Sequence, residues 1–216
     1  MFSNFAFTFA IARTGGQCPP YGMIAAWQTI DVILWQGGTY FFTIVTYQRR
    51  PLFQNRANVD LLRTVITSVR EEMPFDIDAA VILPNHMHFI WSLPSGDFGY
   101  SRRIGKLKVR FTKAFYSNSK PSLELSASRV KHRESDIWQR RFWEHTIRDE
   151  EEFDRLFEYI HFNPVKHGCV TCPHKWQATS FHKWVRRGVL DQGWGCSCNG
   201  RTATFDFESV KDVVGE

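Results

Sequence analysis

The first clear alternation of apolar and polar residues begins at Gly38, in the stretch "GTYFFTIVTYQRRP". Its aromatic and β-branched residues are typical of a strand, which Pro51 closes. The spacing then becomes helical, and a helix over residues 58–73 would bury Leu61, Leu62, Val65, Ile66, Val69 and Met73. The stretches "FDIDAAVIL" and "HMHFIWSL" follow as two strands, and the Pro84-Asn85 pair between them predicts an antiparallel hairpin.

The second half of the chain continues the alternation of strand and helix. Ser101 can cap a second helix with an apolar stripe, made of Ile104, Leu107, Phe111 and Phe115, and a basic stripe, made of Arg103, Lys106, Arg110 and Lys113. After a polar stretch that we expect to be a loop, "IWQRRFWEHTI" is typical of a strand. Asp149 followed by Glu152 predicts the start of a third helix, whose buried side would hold Phe153, Leu156, Phe157 and Ile160.

The order of these elements predicts the fold class. Strand, helix, strand, strand, helix, strand, helix indicates an α+β protein with a ferredoxin-like sandwich, in which a mostly antiparallel sheet has helices packed on one face. Residues 1–36 carry Gly-Gly and Pro-Pro breakers and no motif, so we expect an atypical N-terminal extension there. Residues 37–190 would form the single domain, and residues 191–216 a C-terminal tail.

Charge is concentrated in one part of the chain. The whole sequence has a net charge of +5 and a pI near 9.0. Residues 101–148 alone hold thirteen basic and four acidic residues, a net charge of +9. Aromatic residues are interleaved with them, which suits single-stranded nucleic acid, because phosphates need cations and unpaired bases need rings to stack on. The alternative is a solvated helix face beside ordinary core aromatics.

Cysteine usage and hydropathy exclude some classes of protein. Five cysteines are an odd number, and without a convincing export signal we expect free thiols in a reducing compartment. The spacing Cys169-x-x-Cys172 with Cys196-x-Cys198 is a weak indication of a zinc-stabilised module, since it matches no common finger. The apolar run at residues 5–12 is too short to span a bilayer, so we expect no membrane role.

Two histidines stand one residue apart in the strand "VILPNHMHFIW". His86 and His88 point to the same face of the strand, because side chains alternate along it. Two neutral imidazoles on one face make half of a site for a divalent ion, although such a pair alone is often only packing. In the third helix, Tyr159 and Asn163 are four residues apart and share a face that differs from the apolar one. A phenol and a carboxamide there could reach the histidines.

Four blocks of sequence together resemble one known family. These are "GGTYFFTIVTYQRR" at 37–50, "LPNHMHFIWSLP" at 83–94, "RFWEHTIR" at 141–148 and "EYIHFNPVKHG" at 158–168. In this order they are similar to the transposases associated with repetitive extragenic palindromes (REPs), within the single-tyrosine HUH nuclease superfamily. The resemblance covers roughly residues 37 to 190.

The resemblance implies a chemistry and assigns residues to it. His86 and His88 match the metal-binding histidine pair, Tyr159 the nucleophile, and Asn163 the helix residue that completes the metal site. A divalent ion, Mg or Mn, would hold the scissile phosphate, and Tyr159 would attack phosphorus to give a covalent 5′-phosphotyrosine intermediate near a palindromic hairpin. Rejoining reverses this step. Hydrolysis by metal-bound water is the competing chemistry, and a non-cutting hairpin-binding module derived from such a transposase is the alternative function.

The expected partner is single-stranded or hairpin DNA, in the bacterial cytoplasm and associated with the nucleoid, with the protein acting as a monomer or a homodimer. The residues expected to contact the DNA phosphates are Arg102, Arg103, Lys106, Arg110, Lys113, Arg140 and Arg141.

Several assignments stay open from sequence. Pro164 biases Asn163 away from helical geometry, so Glu144 or His145 could take its place or support the ligands. For His161 and His167 we favour a surface or DNA-contact role over metal binding. The tail after Trp194 ends acidic, and we expect it to fold over the basic cleft and compete with DNA.

Overall fold

A computed structural model of the chain describes residues 38–117, 126–132, 134–197 and 205–215. The expected extension at residues 1–36 lies outside these ranges. The strands are β1 (Thr39–Val45), β2 (Asp76–Ile82), β3 (His86–Ser92) and β4 (Trp143–Thr146). The helices are α1 (Arg56–Glu72), α2 (Tyr100–Ser117), α3 (Ala127–Lys131), α4 (Glu150–Lys166), α5 (Phe181–Arg186) and α6 (Lys211–Val214).

The four strands form one antiparallel sheet in the order β2-β3-β1-β4. This is the strand order of a ferredoxin-like sandwich with its two crossover helices, so the predicted class and topology are confirmed. The predicted hairpin is also present, with Ile82 paired to Met87 across the Pro84-Asn85 turn. Register then fixes the neighbours of the histidines, since Thr43 lies opposite His88 and Val45 opposite His86.

Helices cover both faces of the sheet rather than one. The crossover helices α1 and α2 pack on the face that carries Tyr40, Phe42, Met87, Phe89 and Trp91. Helices α4 and α5 pack on the opposite face, against Phe41, Ala79, Val81 and Ile90. The prediction of a single helical face is therefore correct only for the two crossover helices, because the chain after β4 returns across the other side of the sheet.

Helix α4 begins and ends as its sequence dictates. The Asp149 carboxylate accepts a hydrogen bond from the Glu152 amide at 2.8 Å, which satisfies one exposed amide of the first turn. The helix continues through Pro164, so Asn163 is helical despite the proline that follows it. The His167 amide donates to the Asn163 carbonyl at 3.0 Å and closes the last turn. Pro164 is tolerated because only one hydrogen bond, to Ile160, is lost near the end of the helix.

The described part of the C-terminal tail packs on the same face as α4. Val210 and Val214 are buried in the core between this face of the sheet and α4, and Phe205, Phe207 and Val213 pack against it. The indole nitrogen of Trp143 on β4 donates to the Val213 carbonyl at 2.9 Å. Within the described residues, no helix is both long and apolar enough to cross a bilayer.

Candidate active site

The site lies where β3 passes under α4. His86 and His88 are both buried, and their ring centroids are 5.1 Å apart. Tyr159 is fully buried, and its ring centroid is 5.4 Å from that of His88. One end of the pair therefore faces the tyrosine. The expectation that α4 brings a phenol to the histidine face of the sheet is met by this geometry.

The other end of the histidine pair faces the end of α4. The ring centroid of His167 is 5.0 Å from that of His86. His167 is exposed, as expected, but it stands beside the candidate metal site, where sequence reasoning did not place it. The same periodicity that joins Tyr159 to Asn163 reaches His167 four residues later, and this signal could have found it.

Asn163 lies midway between Tyr159 and His167 on the same stripe of α4. It is fully buried, and among the described residues neither atom of its carboxamide has a hydrogen-bond partner. A buried amide without partners costs about 1–3 kcal/mol, which a ligand to its oxygen would offset. Two imidazoles and a carboxamide oxygen form a donor set that fits a divalent ion such as Mn, so these three residues fit the cation expected here.

Neighbouring acceptors set which nitrogen of each neutral imidazole carries the ring proton. The Asn85 carboxamide oxygen lies 2.6 Å from Nδ1 of His86 and accepts its proton. The Thr43 hydroxyl donates to the Val214 carbonyl at 2.6 Å, so its oxygen accepts from Nδ1 of His88, 3.0 Å away. Each ring then carries its lone pair on Nε2, the arrangement usual for metal-binding histidines.

The hydroxyl of Tyr159 is held by a cation. Nζ of Lys166 donates to the phenol oxygen at 3.2 Å and also lies 4.9 Å from the centre of its ring. The aromatic rings of Phe205 and Phe207, from the tail, are centred 6.1 and 6.4 Å from the Tyr159 ring. The candidate nucleophile is thus enclosed between the sheet, its own helix and the tail.

The structure corrects two alternatives for the metal site. Glu144 lies on the opposite face of the sheet, where it accepts a hydrogen bond from Tyr100 and raises the pKa of that phenol to about 12. His145 is 2.8 Å from the Glu152 carboxylate at the start of α4, two turns before Tyr159. Neither residue takes the place of Asn163. The side chain of Glu144 points to the other face of the sheet, and the side chain of His145 is paired with Glu152.

His161 has neither of the surface roles predicted for it. Its ring is fully buried, with Nδ1 2.8 Å from the Phe157 carbonyl and Nε2 2.8 Å from the Ser180 hydroxyl. Burial lowers the pKa of its imidazole to about 3, so the ring is neutral. His161 therefore fastens α4 to the segment before α5 and is structural.

The predicted DNA-contact residues divide into three groups. Arg102, Lys113, Arg140 and Arg141 are exposed. Lys106 and Arg110 are partly exposed and both pair with Glu72 on α1. Arg103 is buried, and its guanidinium donates to the Met73 and Pro74 carbonyls and to the Asp97 carboxylate. The prediction that Arg103 contacts DNA is wrong, because its buried guanidinium binds Asp97 and the carbonyls at the end of α1.

Comparisons with known proteins find a family and relatives that cover most of the chain. The family model described as "Transposase IS200 like" matches residues 36–163. A REP-associated tyrosine transposase of Escherichia coli K12 is 38% identical over 159 residues, which cover 74% of this chain and 86% of that protein. A Haemophilus influenzae protein assigned to the same class is 39% identical over 160 residues, which cover 74% of this chain and 89% of the relative.

A solved structure is also similar. The structure of a REP-associated tyrosine transposase bound to a REP hairpin superimposes with a TM-score of 0.63 at 37% identity. The match covers 78% of this chain and 91% of that one.

Proposed function

This chain belongs to the family of IS200-like transposases, and from that premise we propose that it cuts and rejoins single-stranded DNA beside a palindromic hairpin, with Tyr159 as the nucleophile. The observation that carries the proposal is the contact between α4 and β3. It places the Tyr159 ring 5.4 Å from His88, with the carboxamide of Asn163 on the next turn of the same stripe.

The proposed cleavage step uses Tyr159 as a nucleophile toward the scissile phosphate. The phenol of Tyr159 loses its proton and its oxygen attacks phosphorus, while the bond between phosphorus and the 3′ oxygen breaks. That oxygen takes up a proton and leaves as a 3′ hydroxyl, while the other DNA end stays on Tyr159 through its 5′ phosphate. Attack of a 3′ hydroxyl on the same phosphorus reverses the step, so the bond energy is conserved and no nucleotide is consumed.

The residues around Tyr159 have separate tasks in this step. A divalent ion bound by His86, His88 and Asn163 would supply Lewis acidity to the scissile phosphate. Lys166 holds the phenol oxygen with a charge-assisted hydrogen bond and stabilises negative charge on it, both when the phenol loses its proton to attack and when the tyrosine is displaced. Asn85 and Thr43 keep the two imidazoles oriented.

DNA would bind on a basic surface made of Arg102, Lys113, Arg140 and Arg141. Nζ of Lys108 donates to the Gln139 carbonyl at 3.0 Å and so joins α2 to the segment that carries Arg140 and Arg141. That segment leads directly into β4, at the edge of the sheet. We propose that a hairpin lies on this surface and that its single-stranded flank passes the β4 edge to reach Tyr159. The hairpin complex of the 37%-identical relative supports a hairpin as the ligand.

The test uses 5′-labelled and 3′-labelled hairpin substrates with single-stranded flanks, drawn from the genome around the gene. Wild type and Tyr159→Phe are incubated with Mg, Mn or EDTA and run on a denaturing gel. We expect a metal-dependent nick with protein attached to the 3′-side fragment, lost in Tyr159→Phe but not in the control Tyr47→Phe. A nick that persists in Tyr159→Phe would indicate hydrolysis by water, and binding without any nick would indicate the non-cutting module.

A further inference from the structure

A second cluster of potential metal ligands, separate from His86, His88 and Asn163, lies in the loops that follow the C-terminal end of α4. Cys172, His174 and Cys196 each offer one ligand atom, and these atoms all lie within 4.8 Å of one another. Cys172 is buried, and the other two are partly exposed. From this cluster we propose that the chain binds one structural zinc ion through the thiolates of Cys172 and Cys196 and the imidazole of His174.

The separations fit zinc. With Zn–S near 2.3 Å and Zn–N near 2.0–2.1 Å in a tetrahedron, a sulfur and a nitrogen ligand lie about 3.5 Å apart. Sγ of Cys196 and Nδ1 of His174 are 3.5 Å apart. Thiolate and imidazole donors select zinc over the hard cations that suit the active site. A group from outside this trio would take the fourth position.

The backbone builds this arrangement from two loops. Cys172 and His174 flank Pro173, which opens a single 3-10 turn after α4. Gly195 has a left-handed φ of 66°, and a Cβ there would lie 3.0 Å from Pro173 and 3.1 Å from Phe162. Only glycine fits at this position, and it directs the chain so that Cys196 reaches His174. The Ser197 amide donates to the Thr171 carbonyl at 2.8 Å and holds the loops together.

His174 is already oriented by the second loop. Its Nδ1 lies 3.1 Å from the Gln192 carbonyl, which accepts the ring proton in the metal-free state. Binding of zinc at Nδ1 would replace this hydrogen bond and move the proton to Nε2. The ion would then cross-link the loop after α4 to the turn that carries Trp194, whose ring packs 6.3 Å from Phe162 on α4 and 6.2 Å from Phe181 on α5.

The experiment measures zinc in the full-length protein. Protein purified with reductant and without chelators is analysed for metal, then stripped and titrated with zinc, and with cobalt as a spectroscopic probe. We expect one zinc per chain, thiolate-to-cobalt charge-transfer bands, and a lower Tm after the zinc is removed. His174→Gln and Cys196→Ser, at partly exposed positions, should fold and lose the zinc.

Two controls make the result specific. Cys169→Ser changes a neighbouring cysteine outside the trio and should retain one zinc. His86→Ala removes an active-site ligand and should retain it as well, which separates this ion from the one used in cleavage. The proposal is overturned if the reduced protein binds no zinc, if Cys169→Ser loses zinc as fully as Cys196→Ser, or if Cys172 and Cys196 form a disulfide and, once reduced, bind no metal.

Discussion

We predict that the tail segment at residues 205–215 limits how often Tyr159 can reach DNA, and this can be tested by loosening its apolar contacts. Phe207 packs against Tyr159 and, with its ring centroid 5.9 Å away, against Phe162. Truncating a fully buried Phe to Ala costs about 3–5 kcal/mol, and Phe207 is only partly buried, so about 1–2 kcal/mol is expected. Since 1.4 kcal/mol is a factor of ten, Phe207→Ala should shift the equilibrium toward the open tail roughly 5–30-fold.

The assay is single-turnover cleavage of the hairpin substrate at limiting protein. If the closed tail predominates in wild type, the cleavage rate of Phe207→Ala should be higher by the same factor as the shift toward the open tail. The upper limit is the cleavage rate of a chain that lacks residues 205–216. Asp212→Asn is the matched control, because this exposed carboxylate belongs to the same segment. A large increase in Asp212→Asn with none in Phe207→Ala would refute apolar closure and favour the acidic competition expected from the sequence.

Three further predictions follow from single contacts. Lys166→Met should slow the cleavage step about 10–100-fold, the worth of a charge-assisted hydrogen bond, without weakening hairpin binding, and Lys166→Arg should restore part of the rate. Arg103→Ala should lower the free energy of unfolding by about 2–4 kcal/mol in urea titrations, whereas Arg102→Ala should leave it unchanged and weaken DNA binding. His161 has a folded pKa of about 3, below its unfolded value, so the unfolded chain binds the extra proton as pH falls below about 6.5. Relative to His161→Gln, wild type should lose about 1.4 kcal/mol of stability per pH unit below that point. If the difference in urea midpoint between the two proteins is the same at pH 7.5 and at pH 5, this reasoning is wrong.

Local pattern was enough to predict the helix stripe that carries the candidate nucleophile. The spacing of Tyr159 and Asn163 is a property of α4 alone, and Asp149 marks its start, so both were accessible from sequence. His167 was assigned to the surface or to DNA, and its place beside His86 follows only once α4 continues through Pro164 to Lys166. Pro164 removes only one hydrogen bond, in the last turn, and it does not end α4, because the helix is packed against the core around it.

Contacts between distant segments were not accessible in this way. Helical spacing puts Arg103 on the basic stripe of α2, but its side chain extends to the end of α1 and to Asp97, which no local pattern reports. The tail was predicted to bind through its acidic residues, yet Asp206, Glu208 and Asp212 are exposed, and buried Val210 and Val214 hold it. Cys196 approaches His174 because of the turn at Gly195, which lies more than twenty positions after His174 in the chain.

We expect the tail, rather than α4, to open the site, because fewer buried side chains hold the tail. On α4, Leu156 and Ile160 face the sheet while Tyr159 and Asn163 are also fully buried, so the candidate nucleophile cannot move without disrupting the core around its helix. The tail is held by fewer buried side chains, Val210 and Val214, with Phe205 and Phe207 only partly covered. Segments with few buried contacts open at the lowest free energy, so we expect the tail to leave before α4 moves. Departure of the tail would also remove the Val214 carbonyl from the Thr43 hydroxyl, which is the group that orients His88. The same opening would therefore uncover Tyr159 and loosen the hydrogen bond between Thr43 and His88.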